Sequence, residues 1–482
     1  MLETTVQDVV DATGAALLCG RMDAAVRGVS IDSREVAAGG LFVCFVGERV
    51  DGNDYALGAL EAGAAAIALT REPAEELVER AKVAGRALFR VKDDDPEQFM
   101  LRLAGAWRAK NAAWTVVGVT GSVGKTTTKD MLAAALAERY RVHATKGNLN
   151  NLIGLPLTLL TASPTDEVLV CEMGMNHPGE LARLSACARP TVALITNVGT
   201  SHVGMLGSRE NIARAKAEIL SAMRPTSEDQ GGVHSFLAMT SDNDFARLIE
   251  DEFARPAGIE VIYVGGSTSA QLHAEDIHLD GEGFARLTLS FTDGLRLDAK
   301  LGVPGLHVVP DVLLVMAVAE RLGVDRRAAA VAVERMPQTH MRLEVVKRQG
   351  RPRVIDDSYN ASPDSMASAL DVLTSMSCVG RRVAILGEMG ELGDEARRLH
   401  GYVGAYAAAK RPDLLVVVGN EWASEMAEAA LTMGLSEDRI ERALDVGEAS
   451  RVIVPALTED DLVLVKASRA VGLDALVREV LG

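Results

Sequence analysis

Thr115-Val116-Val117-Gly118-Val119-Thr120-Gly121-Ser122-Val123-Gly124-Lys125-Thr126-Thr127 is a β-branched run that breaks at a glycine-bearing loop and opens into a lysine and threonine stretch. Thr115 to Val119 reads as a strand, and Thr126 to Arg139, rich in Ala, Leu and Met, reads as a helix. The loop therefore joins the end of a strand to the start of a helix. In that setting Gly121 and Gly124 let backbone N–H groups close on phosphate oxygens, the helix adds its positive end, Lys125 supplies a point charge, and Thr126 is a candidate magnesium ligand. Thr120, Gly121, Ser122, Val123, Gly124, Lys125, Thr126 and Thr127 are accordingly expected to grip a nucleotide triphosphate. Val119 stands where the strict Walker pattern wants glycine, so only the second half of that motif is matched, and a structural turn is the alternative reading.

Outward from the loop, Val168 to Glu172 and Val192 to Asn197 read as further strands, and Pro225 to Ser235, opened by a helix-breaking proline, reads as a surface loop. Upstream, Leu41 to Val46, Ala64 to Leu69 and Ala87 to Val91 alternate with amphipathic stretches such as Pro73 to Ala84. After Met336-Pro337 the pattern resets, and Arg353 to Asp356, Arg382 to Gly387, Asp413 to Gly419 and Asp461 to Lys466 look like strands separated by helices. At 482 residues the chain exceeds one core, and roughly 150 residues per domain suggests about three. The expected class is α/β, with a small α/β domain over 1–110, a central parallel-sheet domain over 111–337 and a doubly wound, Rossmann-like domain over 338–482. In such sheets ligands collect at the carboxyl ends of the strands, where Asp356-Asp357, Gly387-Glu388 and Lys466-Ala467-Ser468-Arg469 fall.

Lys and Arg number 50 against 67 Asp and Glu, and the net charge of −17 would repel nucleic acid or an anionic membrane surface, so an anionic substrate needs local positive groups. Five scattered cysteines form no CxxC pair and read as buried, reduced thiols. The chain opens with no secretion-signal pattern and has no apolar run of ~20 residues, so a cytoplasmic protein without membrane insertion is expected.

Several single residues invite two readings. Glu172, ending a strand expected beside the loop strand, is either a solvated acid or a magnesium ligand. Lys216 shares a helical row with Ile212 and Leu220 on the stretch Arg209 to Met223. Its head either snorkels to the surface or reacts with CO₂ to give a carbamate, an anion able to hold a second magnesium with His202. His202, just past a strand, is otherwise an ordinary hydrogen-bonded histidine. Asp356-Asp357-Ser358-Tyr359-Asn360-Ala361-Ser362-Pro363 leads from a strand into a helix; a cap explains Ser362 but not the acid pair before Tyr359 and Asn360. Arg342 has the fork geometry to hold a transferred phosphate.

Taken together, Thr120 to Thr128, Gly147-Asn148-Leu149-Asn150-Asn151, Glu172-Met173-Gly174, Asn211 to Ile219 and Asp356 to Pro363 resemble the Mur ligase family of ATP-dependent amide-forming enzymes, over nearly the whole chain. Ile31-Asp32-Ser33-Arg34, Leu41-Phe42-Val43, Gly47-Glu48-Arg49 and Gly387 to Gly393 (GEMGELG) are similar to the branch that joins D-alanyl-D-alanine to UDP-N-acetylmuramoyl-tripeptide. The resemblance implies that the first domain binds the UDP end of that substrate through Ser33 and Arg34. It implies that the central domain holds ATP and two Mg²⁺ ions through Lys125, Thr126, Asn148, Glu172, His202 and carbamylated Lys216. It implies that the third domain closes with Arg342, Asp357, Tyr359 and Asn360 and receives the dipeptide near Ser468 and Arg469, in a monomer. The chain departs from the family pattern at Val308 and Asp311, where asparagines are usual, at His340 and Ala467, where glycine is common, and at Asn53, where histidine is common. A sister ligase adding another amino acid, or a P-loop ATP-binding switch without ligase chemistry, remain alternatives at this point.

Overall fold

The computed structural model describes residues 1–228, 233–266 and 270–482; part of the expected surface loop Pro225 to Ser235, namely 229–232, lies outside the described residues. The loop strand Thr115–Thr120 sits inside a nine-stranded sheet, between Val168–Glu172 on one side and Val192–Ile195 on the other, both parallel to it. Val142–Ala144 forms the edge beyond Val168–Glu172, and Phe236–Thr240 and Glu260–Val264 continue the parallel sheet beyond Val192–Ile195. The central strands Val168–Glu172 and Val192–Ile195 are near-continuous apolar runs, the pattern expected when both faces are covered. Alternate residues feed two cores. Val117, Val119, Val170 and Leu194 pack under the helices Lys125–Ala137, Val309–Arg321 and Arg326–Arg335. Cys171, Ala193 and Ile195 pack on the opposite face.

Leu272–Leu279, Phe284–Phe291 and Arg296–Pro304 extend this sheet as an antiparallel meander that the sequence reading did not anticipate. Leu272–Leu279 and Arg296–Pro304 are exposed or half-buried over much of their length and so carry a weaker apolar signal than a strand buried on both faces, whereas Phe284–Phe291 is mostly buried.

Near the N-terminus, Ala16–Cys19, Ala87–Arg90, Ala66–Leu69, Leu41–Val43 and Val29–Ser30 form a five-stranded sheet, in that order. The helix Pro96–Lys110 leaves this sheet and packs on Gly154–Thr161 and Glu180–Ala188, so Phe99, Leu103 and Trp107 share one hydrophobic cluster with Leu155 and Leu184.

Beyond residue 340, six strands run in the order Glu344–Val346, Arg353–Asp357, Leu462–Lys466, Arg382–Gly387, Leu414–Val418, Ile440–Ala443, parallel except at the Glu344–Val346 edge. Pro363–Ser375, Ala396–Lys410 and Glu421–Thr432 cover one face, and Val446–Ile453 and Asp474–Leu481 the other. This is the doubly wound arrangement that the alternating pattern implied. Register places Asp357 opposite Lys466 at adjacent strand ends.

All five cysteines are free, but only Cys44, Cys171 and Cys187 are buried; Cys19 and Cys378 are partly exposed. Burial pushes the Cys44 and Cys171 thiols up to about 12, which keeps them protonated and inert.

Candidate active site

The phosphate-type loop is braced from behind by the end of Val192–Ile195, because Thr196 and Asn197 leave the ladder and bond to the loop. The Thr196 hydroxyl donates to Val123 O at 2.6 Å, and Asn197 both accepts from Val123 N–H (3.0 Å) and donates to Val123 O (3.0 Å). Gly121 has φ 152° and Gly124 φ 85°. A Cβ on Gly121 would lie 1.9 Å from Thr196 Oγ, so no larger residue fits. Lys125 opens the helix Lys125–Ala137 and curls back to donate to Gly121 O at 2.8 Å. Burial lowers its pKa first of all; Glu172 and Glu391 oppose that shift and Arg342 adds to it.

Glu172 is no solvated acid: only 2% of it is exposed. Its Oε1 accepts from Asn150 Nδ2 at 2.8 Å, whereas its Oε2 is buried without a hydrogen-bond partner among the described residues. An orphaned carboxylate oxygen beside a P-loop is a fitting ligand for a hard divalent cation, and the Thr126 hydroxyl lines the same cleft. His202 adopts φ 64° after the bracing strand, with Nδ1 2.7 Å from Glu391 Oε2, an ion-pair separation without hydrogen-bond alignment.

Lys216 does not snorkel. The helix carrying it runs only Arg209–Ala217 and turns tightly at Glu218–Leu220, and Lys216 is 1% exposed, with no hydrogen-bond or ion-pair partner for its ammonium among the described residues. Burial, and secondarily the nearby Lys125 charge, drive its pKa well below the ordinary lysine value. Burial thus favours the unprotonated amine, the form that reacts with CO₂.

The third domain faces this loop across a cleft of about 1000 Å³, within the size range of small-ligand sites. Arg342 lies over the Tyr359 ring, 4.1 Å from its centroid, and Arg469 flanks the same ring at 6.0 Å. Asp357 Oδ2 accepts from the buried Lys466 ammonium at 2.6 Å, and Lys466 also donates to Asn360 O at 2.9 Å. Ser468 holds its strand-end loop by donating its N–H to Glu388 O. The structure thus brings Ser122 through Thr127, Asn148, Glu172, His202, Arg342, Asp357, Tyr359, Asn360, Ser468 and Arg469 to one cleft. Thr120 and Lys216 stand behind it, both buried. Ser33 and Arg34 are not part of it; Arg34 is highly exposed and paired with Asp32 at 2.5 Å.

Four residues of this cleft carried no assigned role in the sequence reading. Glu391 meets His202 from the GEMGELG loop, which is anchored by Met389 N–H donating to His400 Nε2 (2.8 Å) and by Glu388 accepting three N–H groups at the start of Glu421–Thr432. Asp364 accepts from Thr200 N–H at 3.1 Å, and the backbones of Gly204 and Gly393 touch, so the two domains already meet here. Lys466 fills the gap below Asp357. A strand-end position marked Lys466, and Glu391 lay within the GEMGELG resemblance, but only the approach of the domains gives Glu391 its partner.

Asp311, the fourth, is buried at the start of Val309–Arg321 against Gly124. Burial raises its pKa to about 7, with the Thr128 hydroxyl opposing. Between about pH 4 and 7 the folded chain then holds a proton that the unfolded chain has released, so stability falls as pH rises through that window and is level above it. Asp311→Asn removes the titration. It is expected to gain stability relative to the parent as pH rises, by up to about 4 kcal/mol above pH 7, read as the difference in urea midpoints at pH 5 and 8; an equal difference at both pH values would refute it.

Residues 25–107 match the model described as the Mur ligase family catalytic domain, 119–319 the Mur ligase middle domain and 341–469 the Mur ligase glutamate ligase domain. The chain is 33% identical to the UDP-N-acetylmuramoyl-tripeptide–D-alanyl-D-alanine ligase of Bacillus subtilis (strain 168), over 100% of this chain and 99% of that one. It is 30% identical to the enzyme of the same name from Escherichia coli (strain K12), over 99% and 98%. Among solved structures it is similar to MurF from Acinetobacter baumannii (TM-score 0.86, 27% identity, covering 100% and 99%). It is also similar to MurF ligase from Thermotoga maritima in complex with ADP (TM-score 0.76, 27% identity, covering 95% and 97%). With relatives above 30% identity along its whole length and three family domains in sequence, the chain belongs to the Mur ligase family.

Proposed function

We propose that the chain is an ATP-dependent ligase that joins D-alanyl-D-alanine to UDP-N-acetylmuramoyl-tripeptide, giving the UDP-muramoyl-pentapeptide used to build peptidoglycan. The observation that carries it is the single cleft in which the Lys125 loop and Glu172 face Arg342, Asp357 and Lys466. Lys125, Arg209, Arg342, Lys466 and Arg469, five cations lining one cleft in a chain of net charge −17, supply the local positive groups that an anionic substrate needs.

A carboxylate and an ammonium do not condense at neutral pH, so the tripeptide carboxylate first attacks the γ-phosphate of ATP and ADP leaves. Lys125 and Arg342 offset charge on the moving phosphoryl group, the kind of stabilisation that dominates such transfers. To reach the phosphates Lys125 must exchange its bond to Gly121 O for phosphate oxygens. The dipeptide amine, having lost its proton, then attacks the acyl carbon, the C–O bond to phosphate breaks, and an amide and inorganic phosphate result. Contacts such as Asp364 with Thr200 keep water from the acyl phosphate.

Thr126, Glu172, His202 and Lys216 are the residues that would hold two magnesium ions. Magnesium, when bound, neutralises phosphate charge. Lys216 takes part as a carbamate, formed when its neutral amine adds CO₂ and sheds a proton; an ammonium there would repel a cation. Residues 1–110 carry the UDP end, with Ser33 and Arg34 in contact, 111–337 hold ATP, and 338–482 close on it and receive the dipeptide near Ser468 and Arg469. Among the described residues no helix is long and apolar enough to cross a membrane. We place the enzyme in the cytoplasm, where ATP and nucleotide sugars are, as a monomer.

Coupled ADP-release assays with UDP-tripeptide and a panel of amines test this. Release stimulated by D-alanyl-D-alanine is expected. Stimulation by a single amino acid instead would favour a sister ligase, and ATP binding without release under any combination would leave a switch.

A further inference from the structure

Away from the phosphates, the turn that enters the third domain gathers three metal-type ligands. Glu344 and Asp356 are directly opposed across the antiparallel pair of Glu344–Val346 with Arg353–Asp357, so their side chains share a face. His340 lies one short turn upstream, with Nδ1 2.7 Å from Glu344 Oε2. One ligand atom from each of the three residues lies within 4.8 Å of the others.

The second observation is Asp356 itself, which is 3% exposed. Its Oδ1 accepts from both the N–H and the hydroxyl of Ser358, and its Oδ2 has no hydrogen-bond partner among the described residues. Opposed carboxylates on adjacent strands repel each other, and burial of Asp356 leaves water little room to screen that repulsion. An exposed imidazole that is 80% accessible offsets this poorly; a divalent cation between the three would offset it well.

We propose that His340, Glu344 and Asp356 form a further divalent-cation site, separate from the nucleotide cleft, that takes a zinc-class ion. One imidazole and two carboxylates with room for water match Zn²⁺, Co²⁺ or Ni²⁺, whereas Mg²⁺ prefers six oxygens. The position gives the site consequences. Arg342 follows His340 by two residues, Asp357 follows Asp356, and Thr339 donates to Asp130 on the loop helix at 2.6 Å. Between them, Met341 and Leu343 hold φ of 59° and 53°, and Glu344 Oε2 accepts from Met341 N–H at 3.2 Å. An ion here fixes the turn that aims Arg342.

The test uses the full chain, stripped with chelator and kept in millimolar Mg²⁺. Zn²⁺ uptake by equilibrium dialysis and Co²⁺ absorption are measured on the parent and on His340→Ala, whose exposed side chain can be removed without unfolding risk. One zinc per chain is expected, with affinity at least about tenfold weaker in His340→Ala, unchanged in Glu172→Gln, and a zinc-dependent rise in melting temperature confined to proteins with His340. ADP release by His340→Ala without zinc should equal that of the parent. Equal zinc stoichiometry and affinity in parent and His340→Ala, or no uptake by the parent, overturns the proposal.

Discussion

Lys216→Ala is expected to lower kcat by about three orders of magnitude, or ~4 kcal/mol of barrier, while the melting temperature holds or rises. The reason lies in where the side chain ends. It is buried, has no anionic partner among the described residues, and sits near Lys125, so as an ammonium it destabilises the fold and as an amine it does nothing for phosphate. Only an acquired negative charge gives it work. Acetate or formate, filling the space left by the shortened side chain, should therefore restore part of the activity in Lys216→Ala, and CO₂ depletion should slow the parent but not the variant. A purely packing lysine would lose stability together with activity and would show no rescue. Full activity in Lys216→Ala sinks the carbamate reading.

Lys216 also shows how far the sequence reaches. Its helical row with Ile212 and Leu220 was visible, and so was the dilemma of a cation on an apolar face. What decided between snorkelling and burial was the layer packed over that helix, built from residues distant in the chain. Parallel strands such as Val168–Glu172 and Val192–Ile195 were legible because burial on both faces leaves uninterrupted apolar runs; the parallel Phe236–Thr240 and Glu260–Val264 were not, nor was the meander from Leu272 to Pro304, in which Leu272–Leu279 and Arg296–Pro304 are exposed or half-buried over much of their length. Thr196 and Asn197, assigned to a strand by their neighbours, leave it to brace the glycine loop, a tertiary demand with no local signature. The same holds for Glu391 and Asp364, whose partners His202 and Thr200 lie in the other domain. Asp311 was noticed as a departure, yet its contact with Gly124 comes from packing two helices and is not written in either.

Lys125→Met is expected to cost more activity than any other single change, with kcat down about 10³-fold or more, and yet to leave the apo protein as stable as the parent or more so. Without nucleotide, the partly buried Lys125 ammonium is satisfied by the Gly121 carbonyl at 2.8 Å and, more weakly, by Ser122 O at 3.4 Å. Its lowered pKa records that the protein carries this charge at a cost, which the phosphates would repay when they arrive. Methionine keeps the length and most of the volume and removes the desolvation penalty, so the apo fold loses a hydrogen bond worth about 1 kcal/mol and sheds a partly desolvated cation in exchange. The variant should melt no lower than the parent in the apo state, whereas ATP, which raises the melting temperature of the parent by binding the folded state alone, should raise that of the variant far less. Opposite behaviour, a destabilised apo variant that ATP still protects fully, would mean that Lys125 serves the fold and that the phosphates are held by backbone N–H groups alone.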